Sequence, residues 1–216
     1  MAYNVLIVED QDIPRALFEI YIDASEQFHH LLSVANASAA LSVCRNNRVD
    51  LILMDVITQL GRSGLDAAEE IKRELPEIKI IIVTSMPEYS WLTRAREIGV
   101  DSFWYKDGQK DSILEVMART MAGEKIYPDS TPLIRIGNAT NHAFTERELD
   151  ILKELTTGDT NAEIAERLCI SVGTVKSHIQ HLLEKTGFKT RTELVSEACS
   201  LGIVVRNARE EPNTAE

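Results

Sequence analysis

Apolar residues in this chain fall first into short unbroken runs and later into helical periods. The runs are Val5-Leu6-Ile7-Val8, Leu51-Ile52-Leu53-Met54, Ile80-Ile81-Ile82-Val83 and Phe103-Trp104-Tyr105. Runs of this length bounded by polar residues read as strands buried on both faces. Strands are predicted near 4–8, 31–35, 50–54, 79–84 and 102–106. Helices are predicted near 13–24, 37–47, 65–75, 88–98 and 110–122. Five strand–helix pairs predict an α/β domain over 1–122, with a doubly wound five-stranded parallel sheet. Pro14 suits the first turn of its helix and Gly99 a helix end.

Residues 123–142 break the pattern. Gly123, Pro128, Asp129, Ser130, Pro132, Gly137 and Asn138 cluster there, and the segment reads as a linker. From 143 the chain shows helix starts instead. Thr145 to Glu148, Thr160 to Glu163 and Thr190 to Glu193 are capping-box patterns, and Ser171 is a further N-cap. They predict a compact all-α domain of four helices over 143–204. Residues 205–216 are polar and read as a flexible tail.

At 216 residues with 44% apolar content, the chain suits one large or two small domains with proper cores. No apolar run approaches ~18 residues, so no membrane span is expected. The first residues carry no basic segment, so no leader is read and a cytoplasmic protein is expected. Cys44, Cys169 and Cys199 are odd in number and widely spaced; they read as buried small hydrophobes in a reducing compartment. The net charge of −11 excludes nonspecific coating of nucleic acid. Within 172–192 the balance reverses, with Lys176, Lys185, Lys189 and Arg191 against Glu184 alone. A local basic patch in an acidic protein points to a specific nucleic-acid contact.

The strand ends carry the candidate chemistry. Glu9-Asp10, Asp55, Thr84-Ser85 and Lys106 each follow an apolar run, and open α/β sheets bind ligands at that edge. A phosphoryl group brings about two negative charges that three carboxylates would repel. A hard cation resolves this, and Mg²⁺ suits a few oxygen ligands. Asp10 and Asp55 are the expected direct ligands, with Glu9 through water and the Ile57 backbone carbonyl as a neutral ligand. The Asp55 carboxylate is also a candidate nucleophile, giving an acyl phosphate. Thr84 can donate its hydroxyl to a phosphoryl oxygen, and Lys106 can pair with another.

On Val8-Glu9-Asp10, Leu53-Met54-Asp55, Val83-Thr84-Ser85 and Tyr105-Lys106, residues 1–122 resemble a response-regulator receiver domain, a flavodoxin-like fold. The resemblance implies phosphotransfer from a histidine kinase to Asp55 with Mg²⁺ required. It also implies a switch through Thr84 and Phe103, the aromatic residue three before the lysine. Two positions depart from the family. Gln59 stands where Pro is usual, and Gly64 falls nine residues after Asp55 rather than eight, so the loop is one residue longer. Ile57 and Met86 flank the water approach in receivers; both are apolar, so slow loss of the phosphoryl group is expected. A phosphohydrolase using Asp55 is a remote alternative, since phosphatases of the haloacid dehalogenase type place a second Asp where Ile57 stands.

On a helical wheel, Val172, Val175, Ile179, Leu182 and Leu183 share one face and are expected in the core. Thr174, Ser177, Gln180, His181 and Glu184 fall opposite, a short polar face of the kind that enters a major groove. His178 and His181 lack a third ligand and do not read as a metal site. Phe144 to Glu148, Asn161 to Ala165, Ile170 to His178 and Lys185-Thr186-Gly187 resemble the LuxR-type helix-turn-helix. The resemblance places base and phosphate contacts on Lys176, Ser177 and Gln180, and Thr174 on the same polar face is a further candidate for DNA contact. Asn161, Thr190 and Arg191 are expected at phosphates. The last helix resembles the family's dimerisation helix, with Ser196 and Ser200 allowing close approach. The whole chain thus resembles a NarL/FixJ-type two-component regulator that binds double-stranded DNA, as a homodimer when active. It is expected not to be an enzyme. A phosphorylation-independent DNA-binding regulator is the alternative reading.

Overall fold

The computed structural model describes residues 2–58, 63–106 and 112–204. The longer loop at Gln59 and the polar tail lie outside the described residues. The chain divides into two compact units. The first comprises Met1–Ser85 and Ser90–Ser130; the second runs from Thr131, with Met86–Tyr89 grouped with it.

The first unit alternates strands and helices: β1 (Tyr3–Val8), α1 (Asp12–Asp23), β2 (Phe28–Val34), α2 (Ala40–Asn46), β3 (Leu51–Asp55), α3 (Gly64–Glu74), β4 (Lys79–Thr84), α4 (Tyr89–Ile98), β5 (Ser102–Tyr105) and α5 (Ile113–Met121). The five strands lie in the order β2-β1-β3-β4-β5, and every neighbouring pair is parallel. Parallel strands need helices on both faces, which is why the central strands carry unbroken apolar runs between their polar ends. β3 is buried along its whole length. On one face Val5, Ile7, Leu53, Ile81 and Val83 pack against Phe18 and Ile22 of α1 and Val116 and Met117 of α5. Outward, α1 leaves Ile13 and Ile20 exposed.

Two elements differ from the sequence expectation. β2 begins at Phe28, not near 31. It is an edge strand that opens with buried Phe28 followed by the polar His29 and His30, so an apolar-run criterion misses its start. The 37–47 helix opens with a 3-10 turn over Ala37–Ala39, capped by the Asn36 side chain, before α2 proper.

The 123–142 segment is more structured than a linker. Ile126 pairs in parallel with Ser102 at the β5 edge. β6 (Arg135–Ile136) and β7 (Ala139–Thr140) form an antiparallel pair, and Ile136 is fully buried in the second unit's core. That unit continues with α6 (Glu146–Leu155), α7 (Asn161–Arg167), α8 (Val172–Thr186) and α9 (Arg191–Ser200). Thr145, Thr160 and Thr190 each form a complete capping box with the glutamate three residues on. Ser171 accepts from Thr174 N–H at the head of α8. Ile151, Leu152, Ile164, Val175, Leu182 and Leu194 form the core.

Candidate functional site

Four strand ends bring the acidic pocket together. Asp55 is the last residue of β3 and is 4% exposed. Glu9 and Asp10 follow β1, Thr84 ends β4, and Lys106 follows β5. One carboxylate oxygen from each of Glu9, Asp10 and Asp55 lies within 4.8 Å of the others. The Lys106 ammonium donates to Asp55 Oδ2 at 2.8 Å and also to Glu9 Oε2. Glu9 is completely buried, and its other oxygen accepts from Gln11 N–H at 3.1 Å. Asp55 Oδ1 accepts from Ile57 N–H at 3.4 Å.

These commitments leave Asp10 as the carboxylate with spare capacity. Its Oδ1 is buried and has no hydrogen-bond partner. Orphaned buried oxygens are rare and costly, and a hard cation is the ligand that three convergent carboxylates would satisfy. The residues present therefore fit Mg²⁺. Burial pushes the Asp55 carboxyl up to about 6; the Lys106 charge opposes this and the Glu9 charge adds to it. Burial alone would lower the Lys106 ammonium, but Asp55 and Glu9 outweigh it and the net shift is upward.

Gly64, at the head of α3, lies close against the end of β3. Gly64 N–H donates to the Val56 carbonyl at 2.8 Å, and a Cβ on Gly64 would lie 1.9 Å from the Asp55 carbonyl oxygen. Gly64 therefore makes the close approach that only glycine permits, although it stands one residue later than the family pattern. Ile57 forms an isolated bridge with Ser63. Ile57 and Met86 are both 38% exposed. Thr84 and Phe103 are buried, and the Phe103 ring lies 5.0 Å from that of Tyr105.

The polar face of α8 is the second site. Thr174, Lys176, Ser177, Gln180, His181 and Glu184 all lie on the accessible side of the helix. Gln180 Nε2 donates to Glu184 Oε1 at 2.8 Å, a link that sequence reasoning missed although the two are one helical turn apart. Ser177 Oγ donates back to the Gly173 carbonyl at 3.1 Å. On the core face, Val175 and Leu182 are buried and Ile179 and Leu183 partly so. Val172 is corrected: it is 40% exposed, as part of a first turn of α8 that is exposed from Ser171 to Thr174. Asn161 and Arg191 come together. Arg191 Nη1 donates to Asn161 Oδ1 at 3.4 Å and Nη2 to the Asp159 carbonyl at 3.0 Å. Thr190 caps α9, which also carries Ser196 and Ser200.

Of the three cysteines expected to be buried, one is, and the other two are corrected. Cys44 is buried, with its thiol pushed up to about 11 by burial. Cys199 is half-buried and Cys169 is exposed. Cys169 sits in the turn between α7 and α8 at φ +53°. No described helix is long and apolar enough to cross a membrane.

Comparison with known proteins agrees with this geometry. Residues 5–118 match the response regulator receiver domain, and residues 142–198 match the bacterial regulatory proteins of the luxR family. The response regulator protein VraR of Staphylococcus epidermidis is 31% identical over 201 residues, covering 90% of this chain and 95% of that protein. VraR of Staphylococcus aureus is 30% identical over 201 residues, with the same coverage. A solved structure of two RcsB dimers bound to two parallel DNAs aligns with TM-score 0.64 at 19% identity, covering 93% of this chain and 100% of that one. RcsB from Salmonella enterica serovar Typhimurium, bound to a promoter in the presence of a phosphomimetic, aligns at 0.60 with 18% identity, covering 92% and 98%. At these identities the structures speak to the fold. The receiver match, the luxR-family match and the VraR relatives together place the chain in the response regulators, as a two-component DNA-binding transcriptional regulator.

Proposed function

We propose that Asp55 accepts a phosphoryl group from the phosphohistidine of a cognate kinase, in the cytoplasm, and that this controls DNA binding by α8. The observation that carries the reading is the Asp55 carboxylate, buried beside Lys106 and two further acids, with one oxygen of Asp10 unpaired. Asp10 and Asp55 would hold Mg²⁺ directly, with Glu9 through water and the Ile57 carbonyl completing the set. When bound, the cation supplies charge that neutralises the acids and orients phosphoryl oxygens. The ionised Asp55 oxygen attacks phosphorus as the histidine nitrogen leaves. Thr84 donates its hydroxyl to one phosphoryl oxygen, and the Lys106 ammonium pairs with another. Thr84 and Phe103 then carry the switch.

On the DNA side, Thr174, Lys176, Ser177 and Gln180 face the major groove. Asn161, Thr190 and Arg191 lie at phosphates, and Arg191 keeps donors beyond the two it spends on Asn161 and Asp159. The active form is a homodimer on duplex DNA.

Incubation with acetyl phosphate and Mg²⁺ is expected to add one phosphoryl group by mass spectrometry. Asp55→Asn abolishes it, and Asp10→Ala removes its Mg²⁺ dependence or the reaction. Equal labelling of Asp55→Asn would move the site elsewhere. A footprint of the phosphorylated chain should show two half-sites about 10–10.5 bp apart, or a multiple.

A further inference from the structure

The segment that reads as linker carries a turn fastened to the end of the recognition helix. β6 and β7 are joined by Gly137-Asn138, and Gly137 takes φ +57°, as a tight hairpin turn requires. Asn138 N–H donates to the Thr186 carbonyl at 2.9 Å. That carbonyl is among the last four of α8, which have no partner within the helix. The approach is close from both sides. A Cβ on Gly137 would lie 2.2 Å from the Thr186 oxygen, and one on Gly187 would lie 2.4 Å from Asn138 Nδ2.

The fastening is firm on each side of this contact. Thr186 is buried and its hydroxyl donates to the Leu182 carbonyl at 2.8 Å. Lys185 Nζ reaches the Ala143 carbonyl at 3.0 Å and Glu148 Oε2 at 2.7 Å. Behind the turn, Ile136 is fully buried. Asn141 ties the hairpin base, accepting from Ile134 N–H at 2.8 Å and donating to the Pro132 carbonyl at 2.9 Å.

The candidate reading residues lie toward the other end of the helix. From Lys176 to Thr186 is ~15 Å at 1.5 Å per residue. A tilt of about 5° at the fastened end would shift Lys176 by ~1.3 Å on that helix geometry. Such a shift takes a side chain out of hydrogen-bond range of a base edge. We propose that the Gly137-Asn138 turn is a positioning element for the recognition helix, setting its angle for base readout through the bond to Thr186. The proposal rests on α8 being the DNA-reading helix. It predicts an effect on sequence discrimination rather than on general attraction to DNA, since phosphate attraction tolerates small shifts.

The test uses the full chain and duplexes selected by the wild type from a random-sequence pool. Asn138→Pro deletes the N–H, Gly137→Ala pushes the turn off the helix end, and Asn138→Ala keeps the N–H as the conservative variant. Expected is a fall of at least about tenfold in the ratio of selected-duplex to random-duplex affinity for the first two. Asn138→Ala should stay within about twofold on the same ratio. A folded Asn138→Pro or Gly137→Ala that keeps the wild-type ratio overturns the proposal. So does a variant that loses affinity for both duplexes equally, which is the mark of a merely structural role. Amide exchange on the wild type answers independently of any variant. Asn138 N–H should exchange more slowly on the selected than on the random duplex, and equal exchange on both overturns the proposal. A wild type that selects no sequence from the pool refutes the DNA-reading assignment of α8 itself, a different result from loss of discrimination in the variants.

Discussion

Asp101 lies almost fully buried, accepting from Lys72 Nζ at 2.5 Å, Lys79 Nζ at 2.9 Å and Ile80 N–H at 3.0 Å. Burial would raise its carboxyl, but the two lysines and the backbone donor outweigh it and hold the group below its ordinary 3.8. A depressed folded-state value means stability that is present above the unfolded value and lost as pH falls through the folded one. Asp101→Asn should cost about 3–5 kcal/mol near neutral pH, because Lys72 keeps a nearly buried charge without its partner. Urea unfolding of wild type and variant should converge as pH drops below about 4, and a gap that stays constant down to about pH 3 would contradict this. None of it is legible in the sequence, where Asp101 is one more acid after Val100 and its partners lie 22 and 29 positions away. Glu9, Asp10, Asp55 and Lys106 were legible because each follows an apolar run, and parallel strands in one sheet put their C-terminal ends at a common edge. The sharing of Lys106 between Asp55 and Glu9 was not, since the sequence does not say which acid an ammonium reaches.

Among the elements, the turn between α7 and α8 is held by a residue poorly suited to it. Leu168 caps α7, and Cys169 then adopts φ +53°, the one positive φ at a non-glycine position among the described residues. The left-handed conformation costs an L-residue roughly 1–2 kcal/mol, and glycine adopts it freely. Cys169→Gly should stabilise the second unit by up to about 1 kcal/mol, less the extra freedom glycine has when unfolded. Cys169→Val, branched at Cβ, should destabilise it. The urea midpoints of the two variants should bracket the wild type, and the reverse order would refute the strain. Capped helices were the elements most legible in the sequence, because a capping box is a local pattern with a fixed spacing of three. Edge strand β2 was the least, since His29 and His30 interrupt its apolar run and its start is fixed by pairing with β1.

At the scale of the whole molecule, the alternation of strands and helices followed by helices alone was enough to read two domains. The order within the span between them was not legible, because turn residues such as Gly137 and Asn138 serve equally in a loose tether and in a tight hairpin. Its first part belongs to the first unit as firmly as its last part does to the second. Phe103 N–H donates to the Ile126 carbonyl at 2.8 Å, and Ile126 N–H donates to Ser102 Oγ at 3.1 Å. Tyr127 OH donates to the Val100 carbonyl at 2.6 Å, and its ring carries the Arg96 guanidinium 5.2 Å from the centroid.

Ile126 sits against β5, the outermost strand on that side of the sheet. The chain thus shuts its own sheet edge with residues that come just after α5. Without them the Phe103 N–H becomes an open rung, and an open rung is a template on which another chain can add. A first-domain fragment ending at residue 122 should therefore aggregate at concentrations where one ending at residue 130 stays monodisperse in sedimentation. Identical behaviour of the two would mean that the edge needs no cover. On this view the tether is also a guard against aggregation, and loosening it carries a cost in solubility.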